Sequence, residues 1–363
     1  MNDFKRLFPR LKNNSGIILV LVLWIVVILS LLAFGLSRKT SIDLALTKYM
    51  VGQVKAKYIA LAGLIYALNQ VKQDSQDETT RFLDTLYQCG ISLKDKTTED
   101  IFKHIPIGEG YFTVSYRSPK ASSQDNVIYY GLQDEERRIN INALNEESYL
   151  VFKQLIILLG VDEDKAETIA SSTVDWHDED SAVTHDPAGA EDSYYMRLSK
   201  PYHCKNSPFD SIEELLLVKG MTTEIFDKIK DYVTIFPKKG NLLINFDTAS
   251  EIILRSLARG TVIPGSTTSL EDADSLVKKI ISYRKGEDGQ EMTEDDQIVD
   301  MNKMGISVDK EYVVLVMLSK YKTNMSKFLR VHITGVDDST LIQANIEAIV
   351  QRDNLSTVYW YRD

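Results

Sequence analysis

The hydrophobic pattern begins with an unbroken run from Ile17 to Leu36, twenty positions in which Ser30 is the sole polar side chain. That is the length of a bilayer-spanning helix, and it exceeds the apolar core of about 7–15 residues in a cleavable secretory signal. Beyond it the pattern turns amphipathic. From Thr40 to Val71 there is no proline, and apolar residues at Leu44, Leu46, Met50, Val51, Val54, Tyr58, Ile59, Leu61, Ala62, Ile65, Leu68 and Val71 fall mostly three or four apart. This predicts one long helix over about Ile17–Val71, half apolar on all sides and half packed on a domain. Alternating aromatic and β-branched residues predict strands at Tyr111–Ser118 and Val127–Glu135, joined as a hairpin. From Asn140 to about Met304 the pattern is helical. Three segments look alike there, at Leu158–Trp176, Leu215–Phe236, and Phe246–Gly260 continuing into Leu270–Gly286; each reads as helix, turn, helix. Strand patterns return at Glu311–Tyr321, Lys327–Val336 and Leu355–Asp363. The simplest organisation is an antiparallel sheet built from both ends of the chain, with an all-helical domain inserted between its strands.

Charge adds an orientation. The segment before the apolar run carries Lys5, Arg6, Arg10 and Lys12 against Asp3, so the amino end is expected on the cytoplasmic side and the bulk beyond the membrane. A plain signal anchor would explain this much. Gly16, however, sits where the basic segment meets the apolar run, and cleavage after it would leave Ile17 as a new amino terminus. That arrangement resembles the leader of type IV pilins and pseudopilins, and a long helix ahead of an antiparallel sheet is their architecture. Net charge over the 363 residues is −10, which argues against a protein devoted to the nucleic-acid backbone and suits cations or basic partners. Cys89 and Cys204 could form one disulfide outside the cytoplasm; two unpaired thiols are the alternative.

The densest chemistry lies in Val174–Tyr195. Asp175, Asp178, Glu179, Asp180, Asp186, Glu191 and Asp192 place seven carboxylates within eighteen residues, and Pro187-Ala188-Gly189 breaks any helix. Such crowding is costly without a compensating cation. Ca²⁺, which takes 6–8 oxygens at about 2.3–2.6 Å, fits the donor type, and carbonyls of the Pro-Ala-Gly turn could add ligands. A solvated acidic loop is the bland alternative. Zinc would draw on His177, His185, His203 and Cys204, but their spacings match no closed site. The EF-hand pattern is absent from the sequence. No motif names a nucleophile or substrate pocket, so an enzyme is not expected. The helix pairs at Leu159–Ala166 and Val218–Glu224 resemble the helix-hairpin-helix units of DNA-binding proteins. Their turns carry Asp162, Glu163, Asp164 and Glu224 against only Lys165 and Lys219, which disfavours phosphate. A membrane-anchored envelope protein with DNA-binding hairpins is therefore the second reading.

Several blocks, in order, carry a more specific resemblance: the basic segment with Gly16, the apolar helix, Asp134–Leu144 (DEERRININAL), Val174–Asp180 (VDWHDED), Gly189–Tyr195 (GAEDSYY), Ser207–Met221 and Ile244–Leu257. Together they resemble the K-type minor pseudopilins of bacterial type II secretion systems. The resemblance implies an α+β, pilin-like fold (a long N-terminal helix plus antiparallel sheet) with a large inserted all-α domain containing helix-hairpin-helix-like units. The implied divisions are a leader at 1–16, a membrane segment at 17–36, pilin-like parts at 37–139 and 309–363, and the insert at 140–308. It also implies a calcium site, for which Asp175, Asp178, Asp180, Asp186, Glu191 and Asp192 are the expected ligands, with Glu179 facing solvent. A prepilin peptidase would cut between Gly16 and Ile17, with methylation of the new terminus. The protein would sit in the inner membrane with its bulk in the periplasm, and at the tip of a pseudopilus. Its partners would be the I- and J-type minor pseudopilins and the major pseudopilin, with no nucleic acid. Most pilins carry a glutamate at the fifth mature position, where this chain has Leu21; a subunit with nothing above it has no partner for that acid.

Overall fold

A computed structural model describes residues 15–93, 96–119, 126–262, 265, 267–293, 295–306 and 310–362. The basic segment and its four cations therefore lie outside the described residues. Helix α1, Ser15–Asp74, runs 60 residues without a break, about 90 Å at 1.5 Å per residue. Its first half, including Ile17 and Leu21, is exposed, and it is long and apolar enough to cross a membrane. Its second half buries Ala56, Ala60, Leu64, Ala67 and Val71, one stripe at spacings of four and three. Ala56 and Ala60 are small for a reason. A Cβ on Gly335 would stand 2.4 Å from the Ala60 nitrogen and 2.5 Å from the Ala56 carbonyl, so helix and sheet backbones meet almost directly.

A short helix α2 (Thr98–Phe102) precedes the strands β1 (Ile105–Ile107), β2 (Gly110–Pro119), β3 (Asn126–Tyr130) and β4 (Gln133–Asp134). Three more close the chain: β9 (Phe328–Asp337), β10 (Gln343–Gln351) and β11 (Thr357–Arg362). All seven join one sheet of order β1-β2-β9-β10-β11, with β3 on β2 and β4 on β9, every pair antiparallel. Because β4 pairs directly with β9, everything between them leaves and re-enters the sheet at one place.

That intervening region holds α3 (Tyr149–Leu158), α4 (Glu163–His177), α5 (Asp192–Tyr195), α6 (Thr223–Ile229), α7 (Glu251–Gly260), α8 (Leu270–Arg284) and α9 (Lys310–Ser319). Two short parallel pairs trim it, β5 (Ile139–Asn140) with β6 (Val233–Thr234) and β7 (Ile244–Asn245) with β8 (Lys322–Thr323). One expectation fails here. Glu311–Tyr321 is not a strand: α9 buries Glu311, Val314, Leu315 and Leu318 at helical spacing, and Glu311 accepts from Ser275 Oγ of α8 at 2.6 Å. A short continuous apolar run satisfies strand and helix alike, and packing on α8 decides it. Residues 310–319 thus belong with the helical core, and the sheet resumes at Phe328.

The DEERR segment forms the seam. Asp134 accepts from Asn245 Nδ2 (2.7 Å) and Thr248 Oγ1 (2.6 Å), and Glu136 accepts from the Lys327 amide (2.9 Å). Glu135 accepts from Arg330 Nε and Arg138 Nη1 (both 2.6 Å) and Thr234 Oγ1 (2.5 Å). Burial opposes its ionisation, yet Arg330 and Arg138 bring its pKa down to about 2. Arg352 joins Asp84 to Asp74, the last residue of α1, and Asn245 Nδ2 donates to the Asp84 carbonyl. The helical domain therefore sits at the end of the rod far from the apolar run. Cys89 lies in the helix–sheet core and Cys204 in the helical core, both free, so the disulfide considered above does not form.

Candidate metal centre

Helix α4 starts at Asp162, whose carboxylate accepts from the Asp164 amide at 3.1 Å, with Glu163 and Asp164 favourably placed in its first turn. Its buried face carries Ala166, Ile169, Ala170, Thr173 and Val174 into the core. The same face ends in Asp175 and, one residue past the helix, Asp178, three apart and thus adjacent. Carboxylates at a helix C-terminus oppose the macrodipole, which is an electrostatic cost in itself.

A third carboxylate comes from the far side of the acidic loop. Oxygens of Asp175, Asp178 and Glu191 lie within 4.8 Å of one another, and among the described residues no other group of this kind converges. Asp175 is fully buried; its Oδ1 accepts from the Thr184 amide (2.8 Å) and its Oδ2 from the Ala190 amide (2.5 Å). The other two are under-satisfied. Glu191 is only 3% exposed, yet neither of its carboxylate oxygens has a hydrogen-bond partner, nor has Asp178 Oδ1. Burial, then repulsion from Asp180 and Asp175, pushes Asp178 up to about 7. Burial, then Asp175 and Asp178, does the same to Glu191. Burial also raises Asp175. Buried acceptors without donors are rare in folded proteins, and a hard divalent cation is the partner that three carboxylates fit. No imidazole or thiolate enters the set, and burial lifts the Cys204 thiol to about 12.

The remaining expected ligands are placed differently. Asp180 is exposed and accepts from the Ala182 amide at 2.7 Å, near enough to raise Asp178. Asp186 is exposed in the turn before Pro187, and Glu179 is exposed too. Asp192 is engaged elsewhere: Oδ2 meets His203 Nδ1 at 3.0 Å and Oδ1 accepts from the Cys204 amide at 2.6 Å. Those contacts, His203 foremost, hold its pKa low. The Pro187, Ala188 and Gly189 carbonyls, expected as further ligands, instead accept from Lys219 Nζ. That lysine is 30 residues from Gly189, and only its position in a Gly-containing turn marked it in the sequence. Gly189 has no room for a side chain: a Cβ would lie 2.2 Å from Asp175 Oδ2 and 2.5 Å from the Thr184 carbonyl.

A long, half-exposed N-terminal helix laid on an antiparallel sheet, with a helical domain inserted between neighbouring strands, defines a pilin-like protein with an enlarged head. The comparisons agree. The family described as "Type II secretion system (T2SS), protein K" matches residues 137–238. Type II secretion system protein K of Aeromonas hydrophila is 24% identical over 242 residues, 66% of this chain and 69% of the relative. The putative type II secretion system protein K of Escherichia coli K12 is 26% identical over 252 residues, 66% of this chain and 68% of the relative. A chain of the crystal structure of the GspK-GspI-GspJ complex from enterotoxigenic E. coli shares the fold at TM-score 0.61 and 18% identity, covering 87% of this chain and 99% of that one. Residues 137–238 thus match the type II secretion system protein K family, and the similarity over about two thirds of the chain supports a K-type minor pseudopilin.

Proposed function

We propose that this protein is the tip subunit of a type II secretion pseudopilus, which assembles with the I- and J-type minor pseudopilins and seeds the major pseudopilin. The observation that carries the reading is the position of the helical domain at the rod end opposite the apolar segment, where it would obstruct any subunit stacked beyond it. Leu21 supports it, because an unpaired carboxylate in lipid is expensive and this position lacks one. Cleavage after Gly16 by a prepilin peptidase would leave Ile17 as the mature terminus, in an inner-membrane helix with the head in the periplasm. The role is structural, not enzymatic. Labelling the helical domain of the full-length chain with gold and imaging overproduced filaments tests the tip role. Label at one end supports it; label spaced along the shaft refutes it.

The head would be ordered by Ca²⁺ held by Asp175, Asp178 and Glu191, with Asp180, whose charge acts on all three, as the next candidate among the expected ligands. Bound calcium would compensate the three negative charges and engage oxygens that otherwise lack donors. Full-length protein in detergent is expected to melt higher in millimolar calcium than in chelator; equal melting temperatures would remove the site.

A further inference from the structure

The turn at Val218–Glu224 resembles part of a DNA-binding hairpin in sequence, yet its one basic side chain is not free for phosphate. Lys219 Nζ donates to three consecutive carbonyls, Pro187 (3.0 Å), Ala188 (3.1 Å) and Gly189 (2.9 Å). An ammonium has three donors, so this arrangement uses all of them. The same ammonium stands 5.0 Å from the centre of the Tyr194 ring, and the Lys219 amide donates to the Tyr195 hydroxyl at 3.2 Å. Lys219 thus grips the chain on both sides of Glu191. Its own turn is seated on α4: Gly220 adopts φ +83°, and a Cβ there would stand 3.2 Å from Ile169 and from Thr168.

The mechanical consequence follows from connectivity. Residues 187–189 lead straight into Ala190, whose amide holds Asp175, and into Glu191, whose oxygens face Asp175 and Asp178. Helix α4 and the residue that caps its end carry the two aspartates. We propose that Lys219 is the positioning residue of the cation centre: a tethered ammonium that pins the 187–189 turn to α4 and so delivers Glu191 to the two aspartates. The proposal rests on the calcium reading above and adds a residue that is not itself a ligand. The hairpin turn thereby serves the acidic loop, and nucleic acid is not its target.

The test uses full-length protein in detergent, with Ca²⁺ affinity measured by calorimetry and melting temperature recorded with and without calcium. Lys219→Met keeps the length of the stem and removes the donors. It is expected to weaken calcium binding at least tenfold and to shrink the calcium-dependent rise in melting temperature. Lys219→Arg keeps the charge, but a planar guanidinium cannot converge on three carbonyls as an ammonium does, so it is expected to fall between. A lysine that merely stabilises the fold would lower the melting temperature equally in calcium and chelator and leave affinity unchanged; that result overturns the proposal. Tighter binding in Lys219→Met would overturn it too, showing that charge repulsion outweighs positioning. If Lys219→Met does not fold, Lys219→Arg carries the comparison. A wild type that binds no calcium removes the centre and this role with it, whereas wild-type binding retained by both variants removes the role alone.

Discussion

Replacing Glu191 by Gln should reverse its effect on stability according to whether calcium is present. Without metal, three buried carboxylate oxygens lie within 4.8 Å. At an effective dielectric constant near 20, one pair of unit charges at that separation repels by about 3.5 kcal/mol. The protein escapes part of this by keeping protons, since Asp178 and Glu191 are pushed up to about 7. At pH 8 most of those protons are gone, and Glu191→Gln then relieves about 1–3 kcal/mol of repulsion after solvent screening. For a domain of this size that is a rise of about 2–10 °C in the melting temperature of the chelated protein. With calcium at about a thousand times its dissociation constant, the wild type gains about 4.1 kcal/mol that the variant forfeits, so the order inverts. The pH dependence has a definite sign. Between the ordinary carboxylate range and about 7 the folded, metal-free protein binds more protons than the unfolded chain, so its stability falls as pH rises through that window. Calcium takes the place of those protons and should flatten the slope. Differential scanning calorimetry of full-length protein in detergent at pH 6 and 8, with chelator and with calcium, reads all of this. A Glu191→Gln protein that is less stable than wild type in chelator at pH 8, and keeps the whole calcium increment, would refute the reasoning.

Gly189→Ala should cost about 1–3 kcal/mol and abolish most of the calcium increment, because its methyl group collides with Asp175 Oδ2; the same scans detect it. Glu135→Gln leaves Arg330 and Arg138 without their buried counter-charge and should cost about 3–5 kcal/mol, seen as a lower urea midpoint. Its pH signature is opposite to that of Glu191: a depressed acid contributes stability that is present above the ordinary carboxylate pKa and lost as pH falls toward about 2, so the variant should be less sensitive between pH 5 and 3. Gly335→Ala should push α1 off β9 and expose Ala56 and Ala60 to proteolysis of the rod; an unchanged digestion pattern would contradict the backbone contact described here.

What was legible in the sequence was what local pattern dictates. The rod from Ser15 to Asp74 follows from an apolar run continued by residues three and four apart, with nothing to break the helix, and each turn needs only its own neighbours. Strands β2 and β9 were marked by alternation and β-branched residues. The acidic loop was marked by composition alone. Tertiary structure decided the rest, because it depends on partners distant in the chain. Glu311–Ser319 carries an apolar run that either period accommodates, and the α8 surface made it a helix. Cys89 and Cys204 were separated by being drawn into different cores. Of six expected ligands, Asp175, Asp178 and Glu191 converge, whereas Asp192 turns to His203 and Cys204. Convergence there requires a loop path that closes back on α4, and that path is held by Gly189 against Asp175 and by Lys219 from another turn. Spacing along the chain specifies which acids are near in sequence; only the closed loop specifies which oxygens share a cation-sized space.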